Sequence, residues 1–396
     1  MTREQTDILI SGGGVAGLTA AAAFGSAGFS VVIVDPAPPI TTQSDSGADL
    51  RTTAFLQPAR DFLARAGLWD ALQPHATALE TMRIIDAGND PAIQRDFNAS
   101  DISAEPFGWN LPNWLLRREM VARLKDLPNV DFRPGVGFAA MLSRTQAALV
   151  KLSDGTTVAG KLVIGADGRQ SAVRSAIGIN VKTYRYGQKA LTFAVTHDAP
   201  HNNISTEIHR SGGPFTLVPL PDHDGKPCSA VVWMTDGATA NHLLTLSDQD
   251  FENAATERSG HFYGPLHLAT RRTGWPIVSQ IADTIIGPRT ALVAEAAHVM
   301  PPIGAQGLNM SLKDLACLLD LAEAHRADPG VPALLDRYQQ LRHADIKLRV
   351  TGIDLLNRAS IAGQPVMQDL RGFGIKALHG IKPIRTTLMQ MGLGAR

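Results

Sequence analysis

Asp7-Ile-Leu-Ile-Ser-Gly12-Gly-Gly14-Val-Ala-Gly17-Leu-Thr-Ala-Ala-Ala-Ala-Phe-Gly-Ser-Ala-Gly28-Phe-Ser-Val-Val-Ile-Val-Asp35 is the stretch that decides the fold. A short β-rich apolar run ends at Ser11, and three glycines lead into an Ala-rich helical pattern that Gly28 stops. A second apolar strand then ends on a carboxylate. These parts suit a dinucleotide-binding βαβ unit: Gly12 permits the tight turn, Gly14 lets backbone approach a pyrophosphate, and Gly17 allows close helix–sheet packing. Asp35 is placed to accept hydrogen bonds from ribose hydroxyls, and an acid there disfavours the 2′-phosphate of NADP. Ile8 to Val34 carries no charge and is long enough to span a bilayer, but Glu4 and Asp7 precede it where a signal peptide has positive charge. Its glycines and alanines also favour the buried strand–turn–helix reading.

The rest of the composition narrows the function classes. The chain has 396 residues, 44% hydrophobic and 19% charged, with a formal net charge of zero. That balance gives no electrostatic basis for a nucleic-acid partner. Cys228 and Cys317 form no CxxC pair, and none of the 12 histidines falls in a metal-ligating spacing, so no metal site is expected. Two lone cysteines suit a reducing, cytoplasmic setting.

Further along, Asp49-Leu-Arg51 starts a helical pattern through Phe55, Ala59, Phe62, Leu63 and Ala66, with Arg51 able to face phosphate, flavin or solvent. Leu79 to Asn98 reads as strands with a turn at Gly88-Asn-Asp-Pro91, and Pro112 to Leu127 as an amphipathic helix. Asp154-Gly155 marks a hairpin between Ala148–Leu152 and Thr156–Ala159. The strand Lys161 to Ile164 runs into Gly165-Ala-Asp167-Gly168. This places Asp167 where α/β sheets bind ligands, or as a helix N-cap. From Thr183 to Ile281 the pattern alternates as in an antiparallel sheet, with Asp248 to Arg258 helical. Ala291 to Ala294 resumes the buried-strand pattern, Glu295 follows, and a Pro/Gly loop opens a helix near Leu308. Such a helix start offers unpaired N–H groups to an electron-rich ring edge.

These motifs, in this order, resemble the group A flavoprotein monooxygenases, and among them the FAD-dependent hydroxylases of ubiquinone biosynthesis with their para-hydroxybenzoate hydroxylase-like fold. Gly12-x-Gly14-x-x-Gly17, Gly165-Ala-Asp167-Gly168 and Pro302-Ile-Gly304-Ala-Gln306-Gly307-Leu308-Asn309 through Asp314 carry the resemblance, and the last is the most specific. It extends to Asp49-Leu-Arg51, Leu115-Leu-Arg117 and Leu355-Leu-Asn357. The resemblance implies that Arg51 and Arg117 contact FAD and that Asp167 and Gly168 lie near its ribose and pyrophosphate. It further implies that Glu295 holds the ribityl chain, and that Pro302, Gly304, Gln306, Gly307, Leu308 and Asn309 lie against the isoalloxazine. Gly-Asp is usual where this chain has Ala294-Glu295, and glycine where it has Ala305.

The implied fold is α/β: a discontinuous Rossmann-like FAD-binding domain (1–75, 100–182 and 284–345) with an inserted, mainly antiparallel β-sheet substrate domain (76–99 and 183–283). A C-terminal helical segment (346–396) follows. The implied reaction is hydroxylation of a polyprenylated phenol or quinol through a flavin C4a-hydroperoxide, with molecular oxygen as co-substrate and NAD(P)H or a protein donor as reductant. Another aromatic substrate, a dehydrogenase, and a non-catalytic flavin-fold subunit stand as alternatives, and no catalytic acid or base is assigned. Other ubiquinone-biosynthesis proteins are expected as partners. Leu334 to Leu356 has helical spacing, and beyond it Arg371, Lys376, Lys382, Arg385 and Arg396 interleave with apolar residues and no acid follows Asp369. This basic amphipathic tail suits peripheral contact with the inner face of a membrane, or packing on the FAD domain.

Overall fold

The computed structural model describes residues 4–87, 92–210 and 212–361, with side chains to 358. Five parallel strands form the centre of one sheet, in the order Thr290–Leu292, Thr157–Gly165, Glu4–Ser11, Val31–Asp35 and Val130–Pro134. Parallel strands are covered on both faces and therefore need unbroken apolar runs, and Ile8 to Ile10 and Leu162 to Ile164 are fully buried. Helix Val15–Ser26 lies against helices Asn113–Lys125 and Gln306–Ala324. Its alanines permit that close approach from several sides. The expected strands Thr156–Ala159 and Lys161–Ile164 are one strand, Thr157–Gly165, whose first half pairs with Ala148–Leu152 across the Asp154-Gly155 turn.

A second sheet carries Thr81–Asp86, Ile93–Asn98, Val181–Thr196, Ile204–Arg210, Gly213–His223, Lys226–Asp236 and Thr273–Ala282, joined by the short His298–Val299. Its pairings are antiparallel except that of Ile204–Arg210 with Thr81–Asp86. The turn expected at Gly88 to Pro91 lies outside the described residues. Besides Asp248–Arg258, a helix unforeseen in the sequence spans Gly237–Thr245. Asp236 and Ser247 cap the two helices by accepting from the backbone N–H of Thr239 and Asp250.

The helical pattern expected from Asp49 is corrected. Thr52–Leu56 is a strand paired with Gly108–Pro112, which also pairs with Thr77–Leu79, and the helix spans only Gln57–Arg65. Two β-branched residues, Thr52 and Thr53, favour the strand, and Pro58 marks the true helix start. Helix Pro332–Ile361 closes the described chain. The basic stretch from Leu370 to Arg396 lies outside the described residues. The architecture is thus α/β, a Rossmann-like sheet whose chain is interrupted by a mainly antiparallel one.

Candidate functional site

Strand register brings the scattered motifs to one edge. Ser11 pairs with Gly165, Gly165 with Leu292, and Ser11 with Val34. The residues that follow or flank these strand ends, Gly12 to Gly17, Asp35, Asp167 and Glu295, therefore emerge side by side at the carboxyl edge of the parallel sheet. A ligand crevice forms there in open α/β sheets.

The three glycines have different reasons. Gly12 has φ +116°, and a Cβ on it would meet the Ala166 carbonyl oxygen at 2.3 Å. A Cβ on Gly17 would meet the Gly12 carbonyl oxygen at 1.8 Å, so both positions are closed by the fold itself. A Cβ on Gly14 meets no atom within 4 Å. Gly14 has φ −71° and ψ 175°, which any residue adopts, so its backbone lies bare toward the crevice for a reason outside the fold. Helix Val15–Ser26 has no side-chain cap and no acid in its first turn, which leaves its N-terminal dipole to an anion. Asp35 accepts from the Gly13 N–H at 2.5 Å and from the Ala37 N–H at 2.8 Å, which orients the carboxylate beside the loop.

Asp167 stands both at the sheet edge and beside the start of the helix that follows. Its Oδ2 accepts from the Val173 N–H at 3.0 Å, while Ser171 is the N-cap of the short helix that follows. Asp167 Oδ1 is buried and has no hydrogen-bond partner among the described residues. A buried carboxylate oxygen left so costs about 1–3 kcal/mol, which a hydroxyl donor would recover. Gly168 stands at φ +80° with open space around its Cα.

Arg51 is held by Asp49 through two hydrogen bonds of 2.8 and 2.7 Å and lies over the Trp275 ring at 4.2 Å from its centroid. Arg117 approaches the same carboxylate at 3.6 Å. Burial alone would raise the Asp49 carboxyl, but Arg51, Asn113 and Arg117 hold it below the usual carboxylate range. Burial also opposes the charge on Arg51, and Asp49 with the field of Glu295 outweighs it. Asp49 and Trp275 escaped the sequence reading as site residues; Asp49 adjoins the quoted Arg51, whereas Trp275 carries no local signal.

The strand before Glu295 is shorter than expected, Thr290–Leu292, and Ala294–Ala296 forms one 3-10 turn. That turn exposes Glu295 while Ala291 to Ala294 and Ala296 to His298 stay buried. Helix Gln306–Ala324 begins two residues earlier than expected and is uncapped by side chains. Pro302, Ala305 and Gly307 are exposed, whereas Leu308 packs toward the core. Asn309 does not point its amide into the crevice: it accepts from the Leu56 N–H at 2.8 Å and donates to the carbonyls of Ala54 and Ala305 at 2.7 and 2.6 Å. It clamps the loop to strand Thr52–Leu56. On the other side the Gln306 amide donates to the Gly304 carbonyl and accepts from Arg349 at 3.1 Å. The loop is fastened at two points, by its own Asn309 to the backbone of strand Thr52–Leu56 and by Arg349 to Gln306.

Ala294 and Ala305, where the resembled family has glycine, stand at φ +53° and +54°. For an L-residue this region costs roughly 1–2 kcal/mol. Ala305→Gly should therefore raise the stability of the folded protein by up to about 1 kcal/mol, after the greater unfolded-state freedom of glycine is offset. Thermal and urea melts check this, and a melting point at or below the parent's would contradict the strain.

The fold is of the para-hydroxybenzoate hydroxylase-like class, with a crevice at the carboxyl edge of its parallel sheet. The family model described as FAD binding domain matches residues 5–351, and ubiquinone hydroxylase UbiL of Rhodospirillum rubrum is 32% identical over 99% of this chain and 90% of its own length. The chain belongs to this FAD-binding family, among its ubiquinone hydroxylases, and is an FAD-dependent aromatic monooxygenase. The 3-demethoxyubiquinol 3-hydroxylase of Escherichia coli is 26% identical, with both chains covered in full. Among solved structures, p-nitrophenol 4-monooxygenase of Pseudomonas putida superposes with a TM-score of 0.81 at 19% identity over 99% of each chain. That likeness shows the fold.

Proposed function

We propose that this chain hydroxylates the aromatic ring of a polyprenylated phenol or quinol on the way to ubiquinone. The cofactor assignments carry the reading: Gly14 and the start of helix Val15–Ser26 receive the pyrophosphate, and Asp35 and Asp167 bind hydroxyls. Arg51 and Arg117 lie along the cofactor, Glu295 holds the ribityl chain, and the loop from Pro302 to Asn309 backs the ring. The buried, unpartnered Asp167 Oδ1 is the single observation that most favours a polyhydroxylated group here. Bound FAD supplies the activation of molecular oxygen, with NAD(P)H or a protein donor as reductant.

The chain's own residues orient, exclude water and stabilise charge. The uncapped helix start at Gln306 would favour negative charge on the ring edge. Ile303 of the ring loop packs, as Tyr186 and Val232 do, against a buried cluster of Ala190, Met234 and Ile277 from the second sheet. An apolar wall beside that loop suits a hydrophobic aromatic substrate and keeps water away from it. The names of the relatives agree with this substrate class.

Purified protein given FAD, a reductant, oxygen and a prenylated phenol is expected to release a hydroxylated product carrying one oxygen atom from O2. A desaturated product would favour a dehydrogenase, and protein that stays colourless with FAD would favour a non-catalytic subunit. Glu295→Ala removes one charged acceptor and should raise the FAD dissociation constant about tenfold, in line with ~1.5 kcal/mol for such a bond. Unchanged affinity in a flavin titration would remove Glu295 from the site.

A further inference from the structure

Helix Pro332–Ile361 is apolar on two opposing faces. Leu334, Leu335, Tyr338, Ile346, Val350 and Ile353 are buried against the rest of the molecule. On the outer side Leu341, Leu348 and Leu355 are 42%, 70% and 63% exposed. Their heptad spacing puts them in one stripe, with the exposed Ala344 and Gly352 between them and Leu356 beside it at 60% exposure. Single exposed leucines are ordinary on a protein surface, but a continuous stripe marks an interaction site.

The border of this stripe says what it meets. From Arg337 onward the exposed charged residues of the helix are Arg337, Lys347 and Arg358. At 100° per residue, Arg337 stands at the N-terminal end of the stripe, and Lys347 and Arg358 share one flank. Asp345 is committed to Lys313, Arg342 and Arg349, and Asp354 to Tyr186 and Arg358; Asp336 and Asp283 are exposed, and Arg337, Lys347, Arg358, Lys182 and Arg185 outnumber them. Next to Arg358, the strand start adds exposed Lys182, Tyr184 and Arg185, with Arg358 4.4 Å from the centroid of the Tyr184 ring. Leucines edged by cations and a tyrosine match the acyl boundary, the phosphate level and the interfacial region of a bilayer.

We propose that the outer face of helix Pro332–Ile361 docks on an anionic lipid surface, which deepens the proposed action on a lipid-borne substrate and rests on that reading for its purpose. Like charge opposes the two nearest alternatives. A second copy of the chain would set Arg337, Lys347 and Arg358 against their own kind. Residues 362–396 carry Arg371, Lys376, Lys382, Arg385 and Arg396 against the single acid Asp369, so they share the sign of this border.

The test uses the full-length, FAD-loaded protein in flotation with phosphatidylcholine vesicles with or without phosphatidylglycerol. The parent is expected to float with the anionic vesicles and to detach at high salt. Leu348→Glu with Leu355→Glu should lower the floated fraction at least tenfold, and Arg337→Glu with Lys347→Glu should remove the dependence on phosphatidylglycerol. Bound flavin and melting point should hold in both variants, because all four side chains are exposed. Equal flotation of parent and leucine variant overturns the proposal. A parent that stays with the protein pool, and whose dimer in light scattering becomes a monomer on leucine substitution, also overturns it by assigning the face to a second copy. None of these readouts uses substrate. If the variants behave as expected while no prenylated phenol is hydroxylated, the substrate assignment fails and the docking surface stands.

Discussion

Asp314→Ala is expected to destabilise the protein by about 3–5 kcal/mol, the usual cost of leaving one half of a buried ion pair alone. Asp314 is fully buried, with His298 Nε2 at 2.6 Å from one oxygen and Arg342 Nε at 2.7 Å from the other. Arg342 is 3% exposed and reaches Asp345 at 2.6 Å, and its Nη2 has no partner among the described residues. Truncation would strand the guanidinium in a site where Asp345 is its remaining acid. Asp314→Asn, which retains an acceptor, should cost less. Urea unfolding of the apo protein measures the difference, and a loss below about 1 kcal/mol would mean that water reaches Arg342.

The same network reaches the crevice, so flavin affinity should fall as well. Asp345 binds Arg349, and Arg349 holds Gln306 at the start of the ring loop. Burial alone would raise the Asp345 carboxyl, but the hydrogen bonds from Lys313 and Arg342, with Arg349 nearby, hold it well below its ordinary value of 3.8. A carboxyl lowered on folding contributes stability that is fully present above that ordinary value. This contribution is lost as pH falls below about 4 toward the folded value. The pH dependence of unfolding below pH 4 should therefore be shallower in Asp345→Asn than in the parent.

Gly14→Val is expected to abolish flavin retention, at least a hundredfold in affinity, while the apo protein keeps its fold and melting point to within about 1 kcal/mol. The backbone at Gly14 accepts a side chain and an added Cβ meets no atom within 4 Å, so the new bulk enters open space at the helix start. Gly17→Ala is the contrasting control, since its Cβ collides with the Gly12 carbonyl and the loop itself must shift. Flavin absorbance after desalting and a thermal melt of each apo variant separate the two. A yellow Gly14→Val protein would remove the pyrophosphate from this loop.

The sequence by itself determined the parallel sheet and its dinucleotide loop, because strand, turn glycines, helix and terminal acid from Asp7 to Asp35 are local neighbours that register with short-range rules. It also pointed to Asp167, Glu295 and the Pro302 to Asn309 loop, each at the end of an apolar strand or the start of a helical pattern. It misjudged Thr52–Leu56, where pairing with Gly108–Pro112 overrode the apolar periodicity that suggested helix. Only the tertiary structure decided how those residues are placed and held. Strand register set four distant segments at one edge, and Asn309 proved to be spent on Ala54, Leu56 and Ala305. Arg349 of helix Pro332–Ile361 holds Gln306 of the loop, Arg342 of the same helix and His298 hold Asp314 of helix Gln306–Ala324, and Ala294 and Ala305 stand in the left-handed region. Pairings between residues tens to hundreds of positions apart leave no periodic trace in a sequence, and burial of a charge is visible only once its partners stand around it.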